Sequence, residues 1–299
     1  VSSTLDIEAH RAHLIAVGYR LTGSRSDAED AVQDAWLRLR RLTDDERAAI
    51  RNPRAWLTTT VGRLCLDRLR SAAARRESYV GPWLPEPLLG TGDADDPLAA
   101  VVRAEDVRMA AMVLLERLTP PQRVAFVLHD ALSWSFEDIA GVLECSVESA
   151  RQHASRARRA VADAPPPPPS DLAEQQRMLA AIADALMRAD TPALVSLLHP
   201  DVVMVNDSGG VVSAARRVVE GAEKVARLLV GLSARHGTGW LAGAVPMMVN
   251  GELGFWTPAL GGAAEAVTVF SIADGRVTGC YVVLNPAKLN RVPGTPRRR

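Results

Sequence analysis

The residues best equipped for chemistry are arginines, and their spacing suits contact with nucleic acid. Between Ser146 and Arg159 the outward positions of an amphipathic segment are Glu148, Ser149, Arg151, Gln152, Ser155, Arg156, Arg158 and Arg159. Arginine can donate two parallel hydrogen bonds to guanine and glutamine can pair with adenine, so this face is equipped to read base edges in a major groove. A helical hairpin with a solvated arginine face has the same local pattern, and the pattern alone does not separate the two. A second basic run, Arg63, Arg68, Arg70, Arg75 and Arg76, continues the helix opened by Asn52-Pro53 and offers cations along a phosphate backbone. Trp56 and Tyr79 could stack on unpaired bases, although Trp56 adjoins the buried stripe and suits a core position better. Acid–base candidates are fewer. His199-Pro200 reads as a helix-end turn, Asp207-Ser208-Gly209-Gly210 as a hairpin loop and His236-Gly237 as another loop, so no catalytic residue is assigned.

Composition narrows the classes. The 299 residues suffice for two or three domains, each with its own core. Lys+Arg 35 balance Asp+Glu 35, so the local distribution of charge, not the total, must indicate a nucleic-acid partner. Lys224 and Lys288 are the only lysines, a bias that a GC-rich genome would also produce. Cys65, Cys145 and Cys280 lie far apart and show no metal-ligand spacing, which fits a reducing cytoplasm and implies neither metal nor cofactor. No apolar run approaches the ~20 residues of a membrane span. Val1–Arg11 is polar and mixed in charge, unlike a signal peptide, so a cytoplasmic chain with no membrane partner is expected.

The elements that must carry these residues follow from periodicity and punctuation. Prolines from Pro82 to Pro97 and from Pro165 to Pro169 exclude helix and divide the chain into three parts. In the first, Ser26 and Glu29 form a capping box, after which Ala28, Val32, Ala35, Trp36 and Leu39 share one face. Asn52-Pro53 opens the next helix, with Leu57, Val61 and Leu64 inward. In the middle part, Thr119-Pro120, Ser135 with Asp138, and Ser146 each start a helix; the last places Val147, Ala150, Ala154, Ala157 and Val161 inward. The third part is α+β. Helices are expected over Asp171–Leu198, broken at Asp190-Thr191-Pro192, and over Gly221–Leu232. Strands are expected over Val202–Val205, Trp240–Val249, Gly254–Trp256, Ala266–Ile272 and Arg276–Leu284, the last two joined at Asp274-Gly275.

Several of these segments match a family. Asp27-Ala28-Glu29-Asp30-Ala31-Val32-Gln33-Asp34-Ala35-Trp36-Leu37-Arg38-Leu39 after Gly23 resembles region 2 of sigma factors. Leu118-Thr119-Pro120-Pro121-Gln122-Arg123-Val124-Ala125-Phe126, Ser135-Phe136-Glu137-Asp138-Ile139-Ala140 and Ser146-Val147-Glu148-Ser149-Ala150-Arg151 resemble region 4. With nothing long between them, the pattern is similar to the minimal extracytoplasmic-function type. Trp83-Leu84-Pro85-Glu86-Pro87-Leu88 resembles the linker signature of those members that carry a fused SnoaL-like extension. His199-Pro200-Asp201-Val202-Val203, Asp207-Ser208-Gly209-Gly210-Val211 and Asn285-Pro286-Ala287-Lys288-Leu289 resemble that extension's own motifs. Ser208 replaces a usual Gly, Val211 a usual Lys, and Ala287 a usual Asp, which puts contacts based on those charges in question.

The resemblance implies two all-α sigma domains followed by an α+β cone with a curved sheet. It divides the chain into region 2 over 1–80, a linker over 81–100, region 4 over 101–163, a polyproline linker over 164–170 and a SnoaL-like domain over 171–299. It implies a sigma factor, not an enzyme, whose partners are the β′ and β subunits of core RNA polymerase and promoter DNA, and which is a monomer when free. Asp30, Ala31, Val32, Gln33, Asp34 and Leu37 would dock on polymerase, where Leu37 is the apolar residue left outward. Arg63, Arg68, Arg70, Arg75 and Arg76 would serve the −10 element. The helix-turn-helix from Phe136 to Ser155 would serve the −35 element through Glu148, Ser149, Arg151, Gln152, Ser155, Arg156 and Arg159. Trp83, Leu84, Pro85, Glu86, Pro87, Asp207, Gly209, Gly210, Asn285, Pro286, Lys288 and Leu289 would join linker to extension. The extension would regulate in cis, held close by the stiff pentaproline, with room in its cone for a small-molecule ligand. Alternatives are a SnoaL-like enzyme targeted by its helical half, or a ligand-sensing helix-turn-helix repressor; neither needs the region 2 pattern. The tail Arg297-Arg298-Arg299 suits a solvated terminus.

Overall fold

The computed structural model describes residues 8–76, 79–90, 107–163, 165–237 and 243–290. The chain folds as two compact units: Val1–Glu77, Asp93–Asp106 and Ala111–Pro165 form one, and Ser78–Gly92, Val107–Ala110 and Pro166–Arg299 the other. The tail Arg297–Arg299 and part of the linker lie outside the described residues.

The first unit is helical. α1 (Glu8–Thr22), α2 (Arg25–Arg41), α3 (Asp44–Ala48) and α4 (Pro53–Arg76) bury Leu14, Val17, Leu21, Ala28, Ala31, Val32, Ala35, Leu57 and Val61. Helices α1 and α2 approach so closely that a Cβ on Gly18 would stand 2.8 Å from the Ala28 Cβ, which explains the glycine. The α2 N-cap is Ser24, accepting from the Asp27 amide, so Ser26 lies inside the helix and Glu29 pairs with Arg25 rather than closing a capping box. Trp36, expected inward, is 37% exposed because Ala31 and Ala35 fill the buried line.

The same unit continues through α5 (Met109–Leu115), whose first two residues belong to the second unit, α6 (Pro120–Phe126), a π-helical turn (Val127–Ala131), α7 (Phe136–Leu143) and α8 (Val147–Ala162). Ser135 and Ser146 cap α7 and α8 through the amides of Asp138 and Ser149, as their sequence positions led us to expect. Between the two helices Glu144 takes a left-handed conformation, φ 54°, which turns the chain sharply. Alanines 150, 154 and 157 give α8 a flat buried face.

The second unit is α+β. α9 (Leu172–Met187) and α10 (Thr191–Leu197) are broken at Asp190, whose side chain caps α10 through the Ala193 amide. β1 (Leu198–Asp207), β2 (Val219–Glu220), α11 (Ala222–His236), β3 (Val245–Val249), β4 (Glu252–Thr257), β5 (Ala266–Ala273), β6 (Arg276–Val283) and a 3-10 turn (Pro286–Lys288) follow. The six-stranded sheet runs β2-β1-β6-β5-β4-β3, with β1 and β6 parallel and every other pair antiparallel. Helices cover one sheet face over Ile182, Leu186, Leu194, Met204, Leu229, Phe270, Ile272 and Val282. β5 is buried on both faces. His199-Pro200 belongs to β1 and not to a turn, and Asp207 ends that strand, buried, instead of tipping a hairpin. Residues 240–242 of the expected third strand lie outside the described residues. Asp274-Gly275 makes the β5–β6 turn with φ 50° and 68°, and Asn250-Gly251 makes the β3–β4 turn with φ 53° and 84°. Cys65 and Cys280 are fully buried, and burial pushes both thiols up to about 12, far from a reactive thiolate.

Candidate functional site

Three regions carry polar side chains in arrangements beyond what the core requires. On α8, Glu148, Arg151, Gln152, Arg156 and Arg159 are exposed, while Ser149 and Ser155 are half-buried. Gln152 donates to Glu148 at 3.4 Å. Arg158 is not free: its Nε donates to Asp130 at 2.7 Å. The short α7, the tight turn at Glu144 and the longer α8 are the geometry of a helix-turn-helix whose second helix can enter a major groove.

On α2, Asp30, Gln33 and Leu37 are exposed, and Trp36 joins Leu37 at the surface with Arg40 over its ring at 4.8 Å. Ala31 and Val32 belong to the core at 0% and 3% exposure, because they sit on the i, i+4 stripe that meets α1 and α4; they are not available to a partner. Asp34 pairs with Arg68 at 3.0 Å. The remaining α4 cations are also engaged. Arg63 donates to the Gly141 carbonyl at 2.8 Å, and Arg70 lies 3.7 Å from Asp67. The side chains of Arg75 and Arg76 lie outside the described residues.

The third arrangement is in the second unit. Asp207 is fully buried and serves four groups: the Tyr79 hydroxyl donates to Oδ1 at 2.5 Å, the Leu84 amide to Oδ2 at 2.8 Å, the Gly209 amide to Oδ1 at 3.2 Å, and Lys288 Nζ to Oδ2 at 2.6 Å. Lys288 also donates to the Leu84 carbonyl and stands 3.9 Å over the Trp83 ring. Asn285 donates to the Tyr79 oxygen at 2.9 Å. Gly209 and Gly210 have positive φ, and a Cβ would meet Asn285 Nδ2 at 2.6 Å on the first and Val80 Cβ at 2.8 Å on the second. Pro85, Pro87 and Leu289 are buried, Glu86 and Pro286 half-buried. Tyr79, considered as a base-stacking ring, is thus part of this latch. The departures Ser208, Val211 and Ala287 leave it intact: Ser208 accepts from the Gly210 amide, Val211 is 68% exposed, and Ala287 takes part through its backbone, donating its amide to Asn285 and accepting from Asn290 at its carbonyl.

A second attachment, absent from the expectations, holds the far end of the linker. Asn250 accepts from the Leu88 amide at 2.9 Å through Oδ1, donates to the Leu88 carbonyl through its own amide, and donates to the Val107 carbonyl at 2.7 Å through Nδ2. Leu89 bridges Val249 and the Gly90 amide donates to the Met248 carbonyl, so the linker covers the edge strand β3. The Asn250-Gly251 hairpin pair is visible in the sequence; its linker partners are not, because the contacts span 143 and 162 positions.

The comparisons with known proteins agree with this geometry. Residues 7–75 match the family model described as sigma-70 region 2, and residues 108–161 match sigma-70, region 4. The ECF RNA polymerase sigma factor SigJ of Mycobacterium tuberculosis H37Rv is 48% identical over 98% of this chain and 95% of its own length. The chain belongs to the extracytoplasmic-function sigma factors. The probable ECF sigma factor SigI of the same organism is 32% identical over 94% of this chain and 93% of its own length. The crystal structure of M. tuberculosis SigJ superposes with a TM-score of 0.81 at 45% identity, covering 97% of this chain and 99% of that one. The sigma factor therefore directs promoter-specific transcription initiation, with two helical sigma domains and a SnoaL-like α+β domain. No helix among the described residues is long and apolar enough to cross a membrane.

Proposed function

We propose that the exposed patch Asp30, Gln33, Trp36 and Leu37 docks on the β′ subunit of core polymerase, that the α4 arginines engage the −10 element, and that α8 engages the −35 element. The β subunit is the remaining polymerase contact, and the free protein is a cytoplasmic monomer. The domain boundaries proposed from the sequence are kept, with one amendment: residues 79–90, the first part of the linker, function as part of the SnoaL-like domain. Through it that domain modulates initiation in cis, because the linker joins regions 2 and 4 and its conformation limits how they can separate on DNA.

The buried carboxylate of Asp207 carries this proposal. Tyr79, Leu84 and Lys288 occupy both of its oxygens, so this buried acidic side chain at the end of β1 is spent on holding the linker. For that reason we assign it no acid–base role. The cone is kept as a candidate site for a small molecule that would bias the latch. Run-off transcription with purified core polymerase tests the whole proposal. Wild-type protein is expected to initiate on promoters carrying both elements, and Lys288→Met, which releases the linker, is expected to change output at matched protein concentration. Absence of any transcript from wild type would end the promoter assignment, and equal output from both would end the cis-regulatory one.

A further inference from the structure

The π-helical turn Val127–Ala131 presents two consecutive residues to the recognition helix, and each acts on a different arginine. His129 Nδ1 lies 2.9 Å from the Trp134 carbonyl; a carbonyl only accepts, so Nδ1 carries the proton and the ring is fixed. The fixed imidazole stacks on Phe136 with ring centroids 4.1 Å apart and planes at 28°. Phe136 in turn lies under Arg151, whose Cζ is 5.6 Å from the ring centroid. The neighbouring Asp130 takes Arg158 at 2.7 Å. Arg151 and Arg158 are seven residues apart, two turns along one side of α8. A π turn admits one extra residue, and such insertions redirect the side chains that follow. Ser133, at φ 55°, lets the chain leave the turn so that its amide still bonds to the His129 carbonyl at 2.9 Å.

We propose that Phe136, backed by His129, is a positioning residue that holds Arg151 in the orientation needed to read one base of the −35 element, and that Asp130 withholds Arg158 from DNA phosphates. The π turn thereby sorts the arginines of α8 into an aimed base reader and a cation kept off the DNA. An arginine left to solvent samples many rotamers, and stacking on an aromatic face restricts it before DNA arrives, without consuming its hydrogen-bond donors. Carboxylate pairing of Arg158 does the opposite, since it occupies the Nε donor and places a negative charge against the guanidinium.

This rests on the proposal that α8 reads the −35 element, so the experiment separates the two. Holoenzyme assembled from the full chain and core polymerase is titrated onto promoter duplexes in which each −35 base pair is varied. Arg151→Ala tests α8 itself and is expected to abolish discrimination at one position; unchanged discrimination would remove both proposals. Phe136→Leu keeps the apolar bulk and loses the ring. It should lower discrimination at that same position about ten-fold, with thermal stability and polymerase affinity as in wild type, and Phe136→Tyr should restore it. If Arg151→Ala flattens the profile while Phe136→Leu keeps it, or lowers all sequences equally, the positioning role is overturned. Asp130→Asn should steepen the dependence of log affinity on log salt by about one unit, the signature of one more phosphate contact. An unchanged slope would overturn the withholding of Arg158.

Discussion

His13 shows how a single side chain is set by its neighbours. Arg54 Nη2 lies 3.2 Å from Nδ1, and because a guanidinium only donates, Nδ1 is the acceptor and Nε2 carries its proton toward Thr58 Oγ1 at 3.2 Å. The Thr58 hydroxyl spends its own proton on the Arg54 carbonyl, leaving a lone pair for His13. Burial, then Arg54, then His10 lower the imidazole pKa from 6.5 to about 4. Below 6.5 the unfolded chain takes up a proton that the folded one refuses, so the contribution of this site is complete above 6.5 and drains away as pH falls toward 4. His13→Gln should therefore show a flatter fall of melting temperature across that window than wild type; superimposable curves would exonerate His13. Asp207→Asn belongs to the same scale. It leaves Lys288 facing a neutral amide in a largely buried setting, where breaking an ion pair costs about 3 kcal/mol. Urea unfolding followed through the tryptophans should show that loss in the second unit, and a change under about 0.5 kcal/mol would mean the pair behaves as a surface one. The importance of Asp207 was visible in the sequence only as part of a motif. Its carboxylate looked like a loop residue, since nothing local reveals a linker 123 positions away donating to it.

At the scale of elements, two arginines join regions 2 and 4 of the first unit by the same device. The last carbonyls of a helix lack partners and carry its negative end. Arg123 of α6, 1% exposed, donates to the Arg20 carbonyl near the end of α1 at 3.1 Å, and Arg63 of α4 donates to the Gly141 carbonyl near the end of α7 at 2.8 Å. Each region thus caps a helix of the other. A Cβ on Gly62 would stand 3.2 Å from Val142 Cγ1, so α4 and α7 are also in close packing beside Arg63. The two caps should differ in strength. Arg123→Met strands Glu116, whose side chain is 12% exposed, and should cost about 3 kcal/mol, whereas Arg63→Ala removes an exposed cap worth about 0.5 kcal/mol. Amide exchange on the free protein would localise the effects to the last turns of α1 and α7 respectively; equal costs would show that burial does not set the hierarchy. Helix starts were legible because serine, threonine and aspartate caps act within three residues, as at Ser135, Ser146 and Asp190. The shift from Ser26 to Ser24 came from two serines competing within one turn. The π turn, the two-residue strand β2 and the extension of β1 through His199-Pro200 depend on tertiary pairing, such as the register of Leu198 with Val277, that no local pattern encodes.

For the whole molecule, the decisive feature is that the chain leaves the first unit for the second three times, over Ser78–Gly92, over Val107–Ala110 and finally from Pro166 onward, returning to the first after each of the first two. The linker is therefore not a tether between finished domains. Leu84, Leu88, Val107 and Met109 are all within 1% of full burial, and the backbones of Leu84, Leu88 and Val107 are bonded to Asp207 and Asn250. The polyproline is held as well, since Arg108 donates to the Pro167 carbonyl at 2.6 Å, so its stiffness is supplemented by a direct bond. Cutting the chain after the polyproline removes two effects together: it takes away the regulator, and it strips hydrogen-bond partners and cover from apolar linker residues. Burying a leucine is worth roughly 1.5–3 kcal/mol, so the exposed linker should collapse onto other surfaces or associate. A chain ending at Pro169 is accordingly expected to bind a hydrophobic dye and to self-associate in sedimentation. The same truncation with Leu84→Ser and Leu88→Ser should do neither, and transcription by that double variant, rather than by the simple truncation, reports what the SnoaL-like domain contributes. If the simple truncation stays monomeric and binds no dye, the linker carries its own cover, and the latch at Asp207 is a consequence of folding instead of a restraint on the sigma domains.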